Sequence, residues 1–221
     1  MDPIESALQD NTFWDNILIS DRSFEIRRVK NIDLLLDAIP DQEFNKDERM
    51  PYWADIWPSS IVLSEYILEH SEEFAGKKIL ELGCGLGLVG ITASSVGGDV
   101  LFTDYDVHAL NFTRENFKRN FKRDASVQLF DWRNPGDLQL FDVIVAADII
   151  YEKRWLIPII NVLEKKLSDT GTAFIANPDR SVSRPLLEMI ENKNWQKQSL
   201  LKRTMVYNKL HTIIINRISK C

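Results

Sequence analysis

The run Ile79-Leu80-Glu81-Leu82-Gly83-Cys84-Gly85-Leu86-Gly87 constrains the fold of this chain more than any other segment. Its apolar first half reads as a strand, its alternating glycines as a tight turn, and the apolar residues after Gly87 as a helix. Glycine reaches backbone angles that other residues avoid and lets a ligand approach the main chain. The amides at the start of the following helix favour an anionic group there. Strand, turn and helix in this order make half of a βαβ unit, whose ligands lie at the carboxyl ends of parallel strands.

The flanking sequence keeps the same rhythm. Pro58-Ser59-Ser60 opens a helix ahead of the glycine run. Beyond it the patterns predict strand 100–103, helix 107–122, strands 127–130 and 143–147, helix 153–167, strand 172–176 and helix 185–192. The tail departs from this order: 199–206 and 210–215 are strand-like, and only Tyr207-Asn208-Lys209 separates them. That is too short for a crossover helix, so the two pair as an antiparallel hairpin. Near the start, runs at 13–19 and 24–29 flank Ser20-Asp21-Arg22 and read as another hairpin, followed by a helix at 31–39 and a polar loop at 41–50. The expected fold is α/β, a doubly wound, Rossmann-like sheet of seven mostly parallel strands with an antiparallel C-terminal hairpin and a small N-terminal β appendage. Residues 1–50 form the appendage and residues 51–221 the main domain.

Spacing within the glycine run disfavours two common nucleotide sites. A dinucleotide fingerprint places its third glycine where Leu88 stands, and a P-loop ends in Gly-Lys-Ser/Thr, whereas no basic residue lies between Gly83 and Gly90. Asp104, however, closes the next strand 21 residues after Gly83, where an acid can accept hydrogen bonds from both ribose hydroxyls of a nucleoside.

Taken together, Glu81-x-Gly83-x-Gly85-x-Gly87 and Asp104 resemble the S-adenosylmethionine site of the seven-β-strand methyltransferases. Within that class, Tyr52-Trp53-Ala54-Asp55-Ile56-Trp57-Pro58, Asp131-Trp132 and Ala147-Asp148-Ile149-Ile150-Tyr151 resemble the protein-lysine methyltransferase family, over about residues 50–180. The resemblance implies that Gly83, Gly85 and Gly87 hold the methionine part of S-adenosylmethionine, with Glu81 and Ala147 also among the cofactor-binding residues. It assigns Asp104 to the ribose, Asp131 and Trp132 to the adenine, and to Trp57 a position closing over the cofactor. Asn177-Pro178-Asp179-Arg180 is similar to the Asp-Pro-Gly-Arg stretch of the branch that methylates the β-subunit of electron-transfer flavoprotein, with Asn177 in place of the first acid.

Methyl transfer from a sulfonium is a displacement that needs alignment and exclusion of water more than covalent help. A lysine acceptor must be neutral, and with a reference pKa of about 10.4 its deprotonation at pH 7 costs roughly 4–5 kcal/mol. Asp148 and Tyr151, at the carboxyl end of a strand, are the expected catalytic residues, orienting the amine or relaying its proton. Asp148 has a competing role as cap of the helix that starts near Glu152. The rings of Trp53, Trp57 and Tyr151 are candidate seats for a cation, with core packing as the alternative for Trp53, and Tyr52 is left unassigned.

Charge and composition bound the partners. Residues 1–50 carry six basic and twelve acidic side chains, and the remainder carries 21 of each. A neutral body lacks the clustered basic face of a nucleic-acid binder. Arg114, Lys118, Arg119, Lys122 and Arg123 read as the solvent face of one helix. His70, His108 and His211 fall on separate segments, so no metal is expected, and Cys84 and Cys221 are expected to stay reduced. With no apolar run of membrane-spanning length and no leader-like N-terminus, the expected location is cytoplasmic, with no membrane partner. The reading is an S-adenosylmethionine-dependent methyltransferase acting on a protein lysine. A small-molecule amine N-methyltransferase and a non-catalytic S-adenosylmethionine-binding interaction protein remain as rivals.

Overall fold

The computed structural model describes residues 2–39, 50–206 and 208–220. Its N-terminal elements are α1 (Pro3–Leu8), β1 (Thr12–Ile19), β2 (Arg22–Val29) and α2 (Asp33–Ala38). The main body begins with α3 (Pro58–Glu69), β3 (Lys78–Leu82), α4 (Leu88–Ser95), β4 (Asp99–Asp104), α5 (Val107–Phe121) and β5 (Ser126–Leu129). It continues with β6 (Phe141–Ala147), α6 (Leu156–Lys166), β7 (Leu167–Pro178), α7 (Arg184–Asn192), β8 (Gln196–Val206) and β9 (Lys209–Ser219). No helix among the described residues is long and apolar enough to cross a membrane.

The large sheet has the order β5-β4-β3-β6-β7-β9-β8. Strands β3 to β7 are parallel, β9 runs antiparallel to β7, and β8 pairs antiparallel with β9, as the short tail connection requires. The chain winds outward from β3 to β5, then returns to lay β6 against the other side of β3. A crevice opens where the two windings part, at the carboxyl ends of β3 and β6.

Strand alternation divides the interior into two cores. Ile79, Phe102, Val143, Val145 and Phe174 face α3, α4 and α5, while Leu80, Leu82, Ile144, Ala146 and Ile175 face α6 and α7. Both faces of the central strands are apolar, as a covered parallel sheet demands. Helix starts follow local chemistry: Pro58 sits at the first turn of α3, and the Asp106 carboxylate accepts from the His108 amide at the head of α5.

The N-terminal hairpin pairs as the sequence predicts, with Ile19 opposite Arg22 and Ser20 at φ 52° in a two-residue turn. Its Ile19, Phe24, Ile26 and Val29 join the core beneath α5. The β2 edge is covered by helix side chains: Asn120 accepts from the Glu25 amide at 3.1 Å and donates to the Glu25 carbonyl at 2.8 Å, replacing a strand neighbour. Arg119 pairs with Glu25 and lies over the Trp14 ring, so this member of the basic helix face contacts the hairpin.

Three differences from the sequence reading are local. Helix α1, capped by the Asp2 carboxylate ahead of Pro3, was not expected. The helix expected at 153–167 is a 3-10 turn at Lys153–Trp155 followed by α6, and Leu167 already belongs to β7. The helix expected at 31–39 starts at Asp33. The polar loop expected at 41–50 lies outside the described residues except for Met50, and so does Tyr207 of the tail connection.

Lys166, only 5% exposed, donates to the carbonyls of Gly136 (2.7 Å) and Leu138 (2.8 Å). It thereby pins the segment that follows Asp131-Trp132. Lys166→Met keeps the aliphatic stem and deletes both bonds, with an expected loss of about 1.5–3 kcal/mol, the usual worth of hydrogen bonds to a charged group. Urea unfolding should show a lower midpoint at an unchanged slope.

Candidate active site

The crevice is walled by the glycine loop, the turns after β4, β5 and β6, and the Tyr52–Trp57 segment ahead of α3. Gly83, Gly85 and Gly87 have φ of 63°, 52° and 83°, in the left-handed region. Space excludes side chains there as well. A Cβ on Gly83 would stand 3.0 Å from Ile149 and 3.2 Å from the Trp132 ring, and one on Gly87 3.0 Å from Thr113. The loop is tied outward: the Cys84 amide donates to the Thr103 carbonyl at 2.9 Å, and the Thr113 hydroxyl donates to the Gly85 carbonyl at 2.9 Å. Cys84 itself is a buried free thiol, its pKa pushed well up by burial and by the nearby Asp104 and Glu81.

Two carboxyl groups flank this loop. Asp104 accepts the amides of Gly85 and Asp106, each at 2.9 Å. Burial pushes its pKa up to about 6 against the opposing effect of those hydrogen bonds. Glu81 ends the β3 face that looks onto α4. It is buried, takes a backbone hydrogen bond from Gly90, and leaves Oε2 without a partner. Burial drives its pKa well above the carboxylate range, with Asp104 adding to the effect. The fit to Gly90 is close: a Cβ there would lie 2.4 Å from Glu81 Oε2.

At the β5 end, Asp131 is gripped by Arg133, whose Nε lies 2.9 Å from both carboxylate oxygens. Burial alone would raise Asp131, but the hydrogen bonds and charge of Arg133 hold it below the usual carboxylate range. The Arg133 guanidinium also lies over the rings of Tyr105 (5.2 Å) and Trp155 (5.7 Å). Trp132 and Trp155 meet edge to face at 5.6 Å, and both indole nitrogens are buried without a hydrogen-bond partner. Unpaired donors in the wall of a cavity are costly unless a ligand uses them.

At the β6 end, Ala147 borders the crevice and Asp148 turns out of the sheet at φ 57°, its amide donating to the Ala176 carbonyl at 2.8 Å. The Asp148 side chain is 5% exposed, with Arg180 Nη1 3.2 Å from one oxygen and the Ser59 hydroxyl 3.2 Å from the other. Burial raises its pKa, while Arg180, Ser59 and His211 act the other way. Asp148 does not cap the following turn, which begins at Glu152 with no side-chain cap. Tyr151 stands beside it, its pKa pushed up to about 12 by burial and then by Glu152 and Asp104. Its ring lies 5.3 Å from Tyr52, which meets Trp57 at 6.0 Å, and Trp57 donates from its indole nitrogen to the Tyr52 carbonyl at 2.8 Å.

All eleven residues expected at the site except Gly87 line this one crevice, and Gly87 closes the loop beneath it. Trp53 is buried against Phe112 and His108 and also borders the crevice. Tyr52, left unassigned, stands in the aromatic group with Trp57 and Tyr151. The sequence reading did not find Tyr105, Ile149 or Trp155, which also line the crevice. Position after a strand end was the available signal for Tyr105.

The sheet order, with the glycine loop after β3 facing an acid at the end of the neighbouring β4, defines the seven-stranded methyltransferase class. A 16S rRNA methyltransferase from T. Thermophilus, solved with AdoMet and guanosine, superposes with a TM-score of 0.64 at 15% identity, over 95% of this chain and 51% of that one, a likeness of fold. Residues 40–193 match the model of the lysine methyltransferase family, and the chain belongs to that family. It is 31% identical over 144 residues to mouse EEF1A lysine methyltransferase 3, covering 62% of this chain and 60% of the relative. It is 32% identical over 154 residues to the Caenorhabditis elegans electron transfer flavoprotein beta subunit lysine methyltransferase homolog, covering 62% of each. The chain thus spans about half to three fifths of the length of the curated relatives it matches.

The raised Glu81 pKa gives a stability test. An acid whose folded pKa exceeds its unfolded value binds more protons when folded, so stability falls as pH rises through that window. Glu81→Gln keeps the shape and removes the titration. Relative to wild type, the ligand-free variant should gain thermal stability as the pH rises above the ordinary carboxylate range; a gap constant with pH would show that Glu81 does not titrate in this way.

Proposed function

We propose that this protein is an S-adenosylmethionine-dependent methyltransferase that acts on a lysine side chain of a protein, with residues 51–221 as the catalytic domain and residues 1–50 as an appendage. One observation carries the reading: a nearly buried carboxylate, Asp148, stands beside Tyr151 at the mouth of a crevice whose opposite wall is the glycine loop and Asp104. Membership of the lysine methyltransferase family supports the choice of acceptor over a small amine. The buried thiol of Cys84 suits a reducing, cytoplasmic setting.

The residues present fit the cofactor. Glu81, Gly83, Gly85, Gly87 and Ala147 would border its amino-acid part, Asp104 its ribose, and Asp131 with Trp132 its adenine, where the unpaired Trp132 and Trp155 donors await an acceptor. When bound, S-adenosylmethionine supplies an electrophilic methyl group on a sulfonium. Trp57, Tyr52 and Tyr151 offer ring faces to the cationic reactants, each worth about 0.5–2 kcal/mol, and keep water out.

Asp148 seats the incoming ammonium, displacing or sharing with Arg180; its charge favours the protonated amine, and desolvation by the aromatic walls opposes this and favours the neutral one. Loss of the ammonium proton to solvent leaves the nitrogen lone pair facing the crevice. Tyr151, whose raised pKa keeps its phenol protonated, orients rather than removes protons. The left-handed backbone at Asp148 directs the carboxylate into this position, a conformation Asp tolerates better than most residues.

Calorimetry with S-adenosylhomocysteine tests the cofactor. Asp104→Ala should weaken binding by tenfold or more, as expected for hydrogen bonds to a charged group. Because Asp104 ionises near pH 6 in the ligand-free protein, wild-type affinity should be full above that pH and fall about tenfold per unit below it. For the acceptor, a radiolabelled-methyl screen of lysate followed by amino-acid analysis should place the label on lysine. Asp148→Asn should then lower transfer by about 10²–10⁴-fold, the usual range for a positioned acid or base, with S-adenosylhomocysteine affinity within threefold of wild type. Label found only in small amines would overturn the protein-lysine reading.

A further inference from the structure

The N-terminal hairpin touches the cofactor crevice at two places without lining the glycine loop. Arg28 bridges Asp15 of β1 (2.8 Å) and Asp55 (2.9 Å), and Asp55 precedes Trp57 by two residues. The second connection passes through Asn116 of α5, which is fully buried. Its Oδ1 accepts from the Arg27 amide of β2 at 2.7 Å, and its Nδ2 donates to the Leu86 carbonyl of the glycine loop at 2.9 Å.

A single side-chain amide therefore joins hairpin to loop. A primary amide has a fixed geometry between its oxygen and nitrogen, so the bond to Arg27 orients the bond to Leu86. If the hairpin lifts off, Asn116 loses the partner that fixes its plane, and the carbonyl between Gly85 and Gly87 loses a rigid donor. The conformational freedom so released is in the backbone that must be held for the cofactor.

We propose that Asn116 is a positioning residue for the cofactor loop, and that through it docking of the N-terminal hairpin and binding of the cofactor are linked. The inference rests on the cofactor reading above. Linkage is reciprocal: a docked hairpin raises cofactor affinity, and bound cofactor strengthens hairpin docking by the same factor. The N-terminal hairpin is then part of the cofactor site's support.

The test reads S-adenosylhomocysteine affinity by calorimetry in the full chain. Arg27→Pro removes the amide donor at the hairpin edge, where proline is tolerated. Arg27→Ala keeps that amide while losing, as Arg27→Pro does, the side-chain contacts to Thr12, Glu115 and Phe112, and so serves as the reference for the amide alone. Arg27→Pro should bind about five- to tenfold more weakly than Arg27→Ala, at the low end of measured couplings. Asn116→Ala should weaken binding at least as much, and adding Arg27→Pro to it should cost nothing further, because the connection is already cut.

Variants that lose thermal stability yet bind as wild type would make Asn116 a purely structural residue and overturn the linkage. Should Asn116→Ala fail to fold, hydrogen exchange on wild type decides: the ligand should slow exchange of the Arg27 and Glu25 amides more than that of amides in the distant β8–β9 ladder. Equal slowing in both places would reject the proposal. Failure of wild type itself to bind would instead count against the cofactor reading.

Discussion

A five-residue loop that belongs to no helix or strand has main-chain groups that must find partners elsewhere, and the site is built around meeting that requirement. The Cys84 amide takes the Thr103 carbonyl, the Gly85 amide takes Asp104, the Gly85 carbonyl takes Thr113, and the Leu86 carbonyl takes Asn116. Each partner comes from β4, from its end, or from α5, elements that follow the loop and α4 in the chain. The βαβ unit of β3, α4 and β4 thus supplies the loop and two of these four clamps, α5 supplies the other two, and the crevice takes its shape from these bonds.

The same unit explains the electrostatics. Asp104 is held by the Gly85 amide of the loop it faces and by the Asp106 amide of its own turn, so the loop's position and the acid's charge state depend on one another. Burial raises Asp104 and Glu81 together, and the charge of Asp104 makes Glu81 harder still to ionise. The cavity between them favours a ligand that brings hydroxyl donors and a cationic group, both present in a sulfonium nucleoside. Arg133 prevents the same accumulation at the far end by holding Asp131 ionised.

Much of this was legible in the sequence because it depends on local order. Gly83, Gly85, Gly87 and Asp104 follow strand ends at short, fixed separations, and the two hairpins follow from connections too short for anything else. What escaped depends on contacts distant along the chain. The Asp148–Arg180 pair joins residues 32 positions apart, and Trp155 enters the crevice only because the turn before α6 is 3-10. Asn116 and Asn120 sit four apart on a helix whose charged residues suggest a solvent face, yet Asn116 is fully buried. Nothing in a single sequence separates an asparagine facing water from one that replaces a missing strand. Helix α1 has its signal in Asp2-Pro3, a cap and first-turn pair, but six residues are too few to show a helical period.

Asp148 shows why such a site resists being built from regular structure alone. Its amide still takes the Ala176 carbonyl, so β6 pairs with β7 up to this residue, and the chain then turns through a left-handed angle. A residue in ordinary strand geometry would continue along the sheet and carry its side chain to one face. The left-handed turn instead sets a carboxylate against Ser59 at the start of α3 and Arg180 beyond β7, across the ends of the strands. Desolvating that carboxylate is unfavourable, and a single 3.2 Å contact to a half-exposed arginine compensates only part of it. The remaining deficit is largest when no second cation is present. A lysine ammonium entering past Tyr52, Trp57 and Tyr151 would relieve it, and so the strain and burial at Asp148 favour the acceptor that the proposed reaction requires.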